Sequence, residues 1–194
     1  MKLPENLRKR RGFLEIKKGG EWYRWNPFHS KLAAYLLAGG ENWPFNKDSN
    51  VLYLGAAEGN TISFLSDICV YGRIIGVDIS SVAMAEFLVL VEKKTNVIPF
   101  LGDAQLPEKY LPHVGKANIL YQDIAQSNQI EIFIRNYDFF KPECGFLMLK
   151  SRSTPGKDKE VFRLAKTKLK LRFDNLEVIN ISKWAKGHTA YFIS

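Results

Sequence analysis

The sequence predicts an α/β fold in which helices cover both faces of a mostly parallel sheet. From residue 51 onward, short apolar runs of strand length alternate with longer segments of helical periodicity. This alternation is typical of repeated strand–helix–strand units. The chain has 194 residues, of which 46% are apolar and 25% are charged, so it can bury the core of one domain.

The predicted elements of the main sheet follow one another regularly. Strands are expected at residues 51–54, 74–77, 97–101, 118–121 and 146–149. Helices are expected at residues 61–68, 81–94, 129–140 and 157–170, and the apolar side chains of the second fall mainly on one face. Two further apolar runs, 176–179 and 190–193, are expected to close the sheet as an antiparallel pair.

The first fifty residues have a different pattern. Residues 13–16 and 22–25 are short strand-like runs with a plausible turn between them, and a short helix is expected at 30–37. We therefore divide the chain into a small N-terminal β-hairpin domain with an entry helix, residues 1–45, and a main domain, residues 46–194.

The charge distribution favours a polyanionic partner. The net charge is +8 and the isoelectric point is about 9.4. Basic residues cluster at positions 8–11 and again between Lys150 and Arg172, where nine basic residues stand against two acids. Such clusters suit nucleic acid or an anionic membrane surface. Segment 157–170 has too few large apolar residues for a membrane-surface helix, so nucleic acid is the favoured partner.

The sequence offers no sign of export, membrane insertion or a metal site. No apolar run is long enough to cross a bilayer, and no apolar stretch follows the charged first residues. The two cysteines, Cys69 and Cys144, lack metal-ligand spacing. We expect two buried thiols in a reducing compartment, and therefore a cytoplasmic protein without a membrane partner.

The first predicted strand of the main sheet runs into a glycine pattern that suits a ligand. Gly55 and Gly59 frame a Gly-x-x-x-Gly turn between strand and helix, where glycine lets the backbone turn sharply and approach a ligand closely. The pattern is neither the dinucleotide fingerprint nor a phosphate loop. It suits a ligand without a pyrophosphate, such as a nucleoside that bears an amino acid.

Acidic residues end three successive strands of the predicted sheet. Asp78 lies 19 residues beyond Gly59, and Asp103 and Asp123 follow the next two strands. The carboxyl ends of parallel strands share one edge, where open α/β sheets bind ligands. At that edge Asp78 can accept hydrogen bonds from ribose hydroxyls, and Asp103 can reach the amino group of an adenine.

Several segments together resemble the fibrillarin family, the RNA ribose 2′-O-methyltransferases of box C/D guide-RNA particles. The resemblance extends over nearly the whole chain, and motifs in the same order over such a length are not expected by chance. The residues that carry it are 23–34 (YRWNPFHSKLAA), 51–61 (VLYLGAAEGNT), 66–68 (SDI), 93–99 (KKTNVIP), 103–104 (DA) and 122–126 (QDIAQ).

The resemblance implies a fold, a reaction and partners. The fold is the Rossmann-like seven-stranded S-adenosylmethionine-dependent methyltransferase fold behind a small N-terminal β-rich domain. The reaction is methyl transfer to the ribose 2′-OH of rRNA or tRNA at positions chosen by a guide RNA. The partners are the guide and target RNAs, a Nop-family scaffold protein and a kink-turn-binding ribosomal-type protein. The chain lacks a Gly/Arg-rich N-terminal extension, so it looks like an archaeal form.

The resemblance also assigns site residues. Lys31, Asp123 and Lys150 are expected beside the 2′-OH, with His188 nearby in place of a fourth acid. Lysine acts as a base only when burial or a second cation lowers its pKa, a charge that Lys31 could supply to Lys150. Residues expected at the S-adenosylmethionine site are Gly55, Ala56, Ala57, Gly59, Asn60, Thr61, Asp78, Ile79, Asp103, Ala104, Asp123 and Gln126.

The sequence departs from the family pattern at a few positions. His29 stands where an arginine is usual, and Glu58 and Asn60 replace small or hydroxyl residues. Segment 182–189 keeps the histidine but lacks the acids usual around it. Two alternatives stay open: a methyltransferase of the same fold with another substrate, and an RNA-binding subunit with a vestigial cofactor site.

Overall fold

The computed structural model describes residues 3–194, and an antiparallel three-stranded sheet forms its N-terminal part. Its strands are β1 (Leu7–Arg10), β2 (Phe13–Lys18) and β3 (Glu21–Trp25). The predicted hairpin corresponds to β2 and β3. Strand β1 was not predicted, because three of its four residues are basic and hide the alternation that marks a half-buried strand.

The main sheet has seven strands, as the sequence resemblance implied. They are β4 (Val51–Leu54), β5 (Ile74–Asp78), β6 (Val97–Leu101), β7 (Ile119–Gln122), β8 (Cys144–Lys150), β9 (Leu176–Asn180) and β10 (His188–Ile193). Their order is β6-β5-β4-β7-β8-β10-β9. Strands β4 to β8 are parallel, and β10 runs antiparallel between β8 and β9. The carboxyl ends of the parallel strands therefore share one edge.

Six α-helices lie among residues 3–194. They are α1 (Lys31–Leu37), α2 (Asn60–Ser66), α3 (Ser81–Val91), α4 (Pro107–Val114), α5 (Gln129–Phe140) and α6 (Asp158–Lys170). Helix α4 was not predicted, because it contains an internal Pro112 and proline is rare inside helices. Helices α2 and α3 end before the predicted residues 68 and 94. The chain continues there in turns, in which the N–H of Ile68 donates to the carbonyl oxygen of Leu65 and the N–H of Lys94 donates to that of Val91.

The sheet separates two apolar cores, and the N-terminal sheet belongs to one of them. Strand β4 shows the division, since Val51 and Tyr53 lie in one core while Leu52 and Leu54 lie in the other. The first core also contains Trp25 of β3, whose ring stacks on Phe64 of α2 with centroids 4.9 Å apart. This packing fixes the N-terminal sheet against α2. No helix among residues 3–194 is long and apolar enough to cross a membrane.

Candidate active site

A cleft of about 290 Å³ opens at the carboxyl edge of the parallel strands. Gly55, at the end of β4, has a φ of +83°, and a Cβ there would lie 2.2 Å from the carbonyl oxygen of Asp123. Only glycine allows these two strand ends to approach so closely. The lining residues are Gly55, Ala57, Val77, Asp78, Ile79, Gly102, Asp103, Ala104, Asp123, Ile124, Ala125 and Gln126.

Two of the carboxylates in the cleft are held by backbone amides. Asp78 accepts one hydrogen bond from the N–H of Ala57 at 2.8 Å and one from the N–H of Ser80 at 2.9 Å. Asp103 accepts a hydrogen bond from the N–H of Gln105 at 2.9 Å. A carboxylate has about four acceptor positions, so both keep acceptors for a ligand. Ala57 has a φ of +45°, a strained conformation of the kind that is often found at ligand sites.

The charge of the cleft selects among nucleoside ligands. Its lining contains the carboxylates of Asp78, Asp103 and Asp123 and no lysine, arginine or histidine. A phosphate group would be repelled there by Asp78 and Asp103, whereas a ligand with a positive centre would be stabilised. The remaining walls, including Val77, Ile79 and the alanines, are apolar and suit a heterocycle. The donor set therefore fits a cationic nucleoside without phosphate.

Eight of the twelve residues that were expected at the cofactor site line this cleft, and four lie beside it. Ala56 is buried under the loop, and Asn60 is exposed. Gly59 starts α2, where a Cβ would lie 2.6 Å from the side chains of Phe87 and Leu90. The hydroxyl of Thr61 donates to the hydroxyl oxygen of Ser30 at 3.0 Å. These four residues lie where they shape the loop rather than line the cleft.

The four residues that were expected to be catalytic lie together next to the cleft. Lys31, the first residue of α1, pairs with Asp123 through Nζ and Oδ2 at 2.6 Å. Asp123 follows β7 and also lines the cleft. His188 and Lys150 lie opposite each other at the ends of β10 and β8. Ser30 caps α1 by accepting from the N–H of Ala33 at 3.4 Å.

The surroundings of His188 disfavour its protonated form. Burial lowers its pKa, and nearby Lys31 and Lys150 lower it further, while Asp123 and a hydrogen bond to the backbone of Lys186 act in the opposite direction. Nδ1 lies 3.1 Å from the carbonyl oxygen of Lys186. A carbonyl accepts but does not donate, so this contact assigns the proton to Nδ1 and leaves the lone pair on Nε2.

Gln129 holds the backbone of Lys150, a role that the sequence reasoning missed. Its Oε1 accepts from the N–H of Lys150 at 2.9 Å, and its Nε2 donates to the carbonyl oxygen of the same residue at 2.9 Å. The side chain is fully buried at the start of α5. The sequence shows only a glutamine shortly after the 122–126 motif. Its burial and its contact with β8 exist only in the folded chain.

The strand order and the acidic cleft are those of a Rossmann-like S-adenosylmethionine-dependent methyltransferase fold. The fibrillarin family model matches residues 9–194. The chain belongs to the fibrillarin family.

Relatives and solved structures agree with this assignment. Proteins named fibrillarin-like rRNA/tRNA 2′-O-methyltransferase include one from Picrophilus torridus, 39% identical over 96% of this chain and 89% of the relative, and one from Thermoplasma acidophilum, 43% identical over 84% and 72%. Fibrillarin from a crystallised fibrillarin/Nop5p complex superposes with a TM-score of 0.90 at 34% identity, covering 100% of this chain and 99% of that one. Aeropyrum pernix fibrillarin, crystallised with natively bound S-adenosyl-L-methionine, gives a TM-score of 0.78 at 32% identity, covering 96% and 84%.

The lowered pKa of His188 predicts an effect on stability in acid. Below its ordinary pKa of 6.5, the unfolded chain binds a proton that the folded chain resists, so the folded state loses stability as the pH falls. We expect the difference in free energy of unfolding between the wild type and His188→Asn to shrink between about pH 7 and about pH 5. Urea denaturation at a series of pH values measures it. A pH-independent difference would contradict the assignment of a buried, neutral imidazole.

Proposed function

We propose that this protein transfers a methyl group from S-adenosylmethionine to the 2′-OH of an RNA ribose. The observation that carries the proposal is the double position of Asp123, which lines the acidic cleft and pairs with Lys31. Lys31, Lys150 and His188 are called the basic cluster from here on. A cofactor in the cleft and an RNA hydroxyl at the basic cluster would therefore both lie next to the carboxylate of Asp123. The relatives' printed name, rRNA/tRNA 2′-O-methyltransferase, supports the same reaction.

The residues of the cleft fit S-adenosylmethionine. In our proposal Asp78 accepts from the ribose hydroxyls, Asp103 accepts from the adenine amino group, and the apolar wall contacts the heterocycle. The carboxylates of Asp78 and Asp103 suit a positive sulfur and disfavour nucleotides that carry phosphates. When bound, S-adenosylmethionine supplies a methyl group that its sulfonium already activates toward a nucleophile.

The chain's own groups must orient the hydroxyl and take its proton. In our proposal the Lys31–Asp123 pair positions the attacking oxygen, because an ion pair offers both a donor and an acceptor at fixed places. Nε2 of His188 accepts the proton, since the neutral imidazole has its lone pair there. The ammonium group of Lys150, whose backbone is held by Gln129, stabilises the negative charge that develops on the oxygen.

We also propose that the protein works inside a guide-RNA particle. The similar fibrillarin in the crystallised complex binds Nop5p, which supports a Nop-family scaffold as partner here. Guide RNA and a kink-turn-binding protein complete the particle in this proposal, and the organisms of the relatives favour the cytoplasm of an archaeon. Contacts to RNA would be mostly to phosphate and sugar, and so sensitive to salt.

Methyl transfer from labelled S-adenosylmethionine tests the proposed reaction. The complete mixture of this protein, guide RNA, both partner proteins and matched target RNA is expected to incorporate label. Incorporation is expected to vanish when the target nucleotide carries a 2′-deoxyribose, because the acceptor oxygen is then missing. The deoxy-substituted target is the matched control. Equal label in both targets would place the methyl group elsewhere and refute ribose methylation.

Substitutions in the basic cluster test the proposed roles. We expect Lys150→Ala and His188→Gln each to lower kcat by about 10²- to 10⁴-fold, the usual contribution of a positioned proton-transfer group or oxyanion donor. Affinity for S-adenosylmethionine, measured by calorimetry, is expected to stay within a few-fold of wild type. Lys116→Ala is the control, since this exposed lysine precedes β7 at the opposite edge of the sheet. Either cluster variant with a near-wild-type kcat would remove that residue from the mechanism.

A further inference from the structure

The loop between β8 and α6 carries an exposed arginine, Arg152, that has no part in the proposed reaction. The loop begins directly after Lys150 of the basic cluster, with a short 3₁₀ turn at Ser151–Ser153. Ser151 is buried, whereas Arg152 is exposed. The loop therefore presents the arginine to solvent at the carboxyl edge of the sheet, beside the basic cluster.

Hydrogen bonds hold the backbone of this loop on both sides of Arg152. The N–H of Ser151 donates to the carbonyl oxygen of Gly187 at 2.9 Å, and the N–H of Thr154 donates to the carbonyl oxygen of Ser151 at 2.9 Å. The hydroxyl oxygen of Thr154 accepts from Nε2 of Gln129 at 3.2 Å. Because the base of the arginine side chain is held in place, less freedom is lost when its guanidinium binds a ligand.

The side chain of Arg152 lies across Gly187, the residue before His188. A Cβ on Gly187 would lie 3.7 Å from Cγ of Arg152 and 3.8 Å from its Nε. Arg152 also follows Lys150 by two residues, which separates their Cα atoms by less than about 8 Å. Both observations place the guanidinium at the border of the basic cluster.

The charges around Arg152 favour an anion. Among residues 3–194, no acid forms an ion pair with Arg152. Asp158, the first residue of α6, accepts instead from the hydroxyl of Ser151 at 2.8 Å. Lys186, in the connection from β9 to β10, is a further exposed cation. These like charges repel one another, and a bound polyanion would compensate them.

We propose that the guanidinium of Arg152 binds the phosphate on the 3′ side of the nucleotide that is methylated. The inference rests on the proposed function, because it concerns the same RNA strand. Pairing between guide and target occupies the base edges and leaves the phosphate oxygens of the target accessible. A guanidinium binds phosphate through two parallel hydrogen bonds, which fix direction as well as position.

The 3′ phosphate is the nearer of the two phosphates that flank the acceptor hydroxyl. It is linked through oxygen to the ribose carbon next to the one that bears the 2′-OH, whereas the 5′ phosphate is attached at the far end of the sugar. Arg152 is two residues from Lys150 and covers the residue before His188. A 2′-OH at the basic cluster would therefore bring its 3′ phosphate to Arg152, which acts as a positioning residue for the ribose.

Equilibrium binding to the assembled particle tests the contact without catalysis. The particle contains this protein, guide RNA and both partner proteins. The target strand carries a 2′-deoxyribose at the methylated nucleotide and is shortened until its dissociation constant is measurable. We expect Arg152→Met to weaken binding by about 10- to 100-fold, the effect of losing a hydrogen bond to a charged group. The slope of log affinity against log salt is expected to fall by about 1.

Two further variants control this experiment. Arg152→Lys is expected to lose less affinity than Arg152→Met, because it keeps the charge but not the two-pronged geometry. Arg73→Met is the matched control, since this exposed arginine precedes β5 at the opposite edge of the sheet. Methionine keeps an apolar stem that can cover Gly187, so the turn before His188 is expected to stay in place. Wild-type affinity and salt slope in Arg152→Met would overturn the proposal.

A neutral phosphate then locates the contact. A methylphosphonate replaces the 3′ phosphate in one target strand and the 5′ phosphate in another, each beside a 2′-deoxyribose. We expect the 3′ replacement to cost the wild type as much affinity as Arg152→Met does, while the variant loses nothing further. The same loss in variant and wild type would mean that Arg152 does not contact this phosphate. A loss at the 5′ position alone would overturn the assignment to the 3′ side.

The two proposals fail in different ways. Arg152-dependent binding of the deoxy target, without methyl transfer to the matched ribose target, would keep the phosphate contact and remove the methyltransferase assignment. Methyl transfer with unchanged affinity and salt slope in Arg152→Met would do the reverse.

Discussion

The ion pair between Lys31 and Asp123 connects the two parts of the molecule on which the site depends. The two residues are 92 positions apart in sequence, and their side chains are only 26% and 21% exposed. One belongs to the first helix and the other to the end of a central parallel strand. The stack of Trp25 on Phe64 of α2 and the buried side chains of α1 hold the segment that carries Lys31 against the main domain. Removal of either partner would leave a half-buried charge without its counter-ion, which is costly.

The environment of the pair strengthens it. The rings of Tyr53 and Tyr121 stack 4.4 Å apart in the core next to Asp123, and burial raises the pKa of both phenols. These buried rings lower the local dielectric constant, so charges near them interact more strongly than in water. Burial, and then the charges of Lys31 and Lys150, lower the pKa of His188, since a third cation beside one carboxylate would be repelled. The fold thereby keeps a proton acceptor available among positive charges.

The part of the site that the sequence predicted is the part that strand geometry determines. Asp78, Asp103 and Asp123 follow consecutive parallel strands, and such strands must end at a common edge. Lys31, Lys150 and His188 were assigned through the family resemblance, and they lie together at that edge. The positions of Thr61 and Gln129 could not be predicted in the same way. Each contacts an element distant in sequence, Ser30 and Lys150 respectively, and no local pattern encodes such contacts. Strand β1 and helix α4 were missed because their basic residues and internal proline obscure the usual periodicities.

A double-mutant cycle on Lys31 and Asp123 tests the account most directly, with kcat for methyl transfer measured at saturating S-adenosylmethionine. Lys31→Met and Asp123→Asn are each expected to lower kcat by about 100-fold or more. If the two residues act as one positioned pair, the double variant is expected to be no slower than the slower single variant, as groups that function as a unit behave. Losses that multiply in the double variant would show that the two residues act independently and would contradict the account.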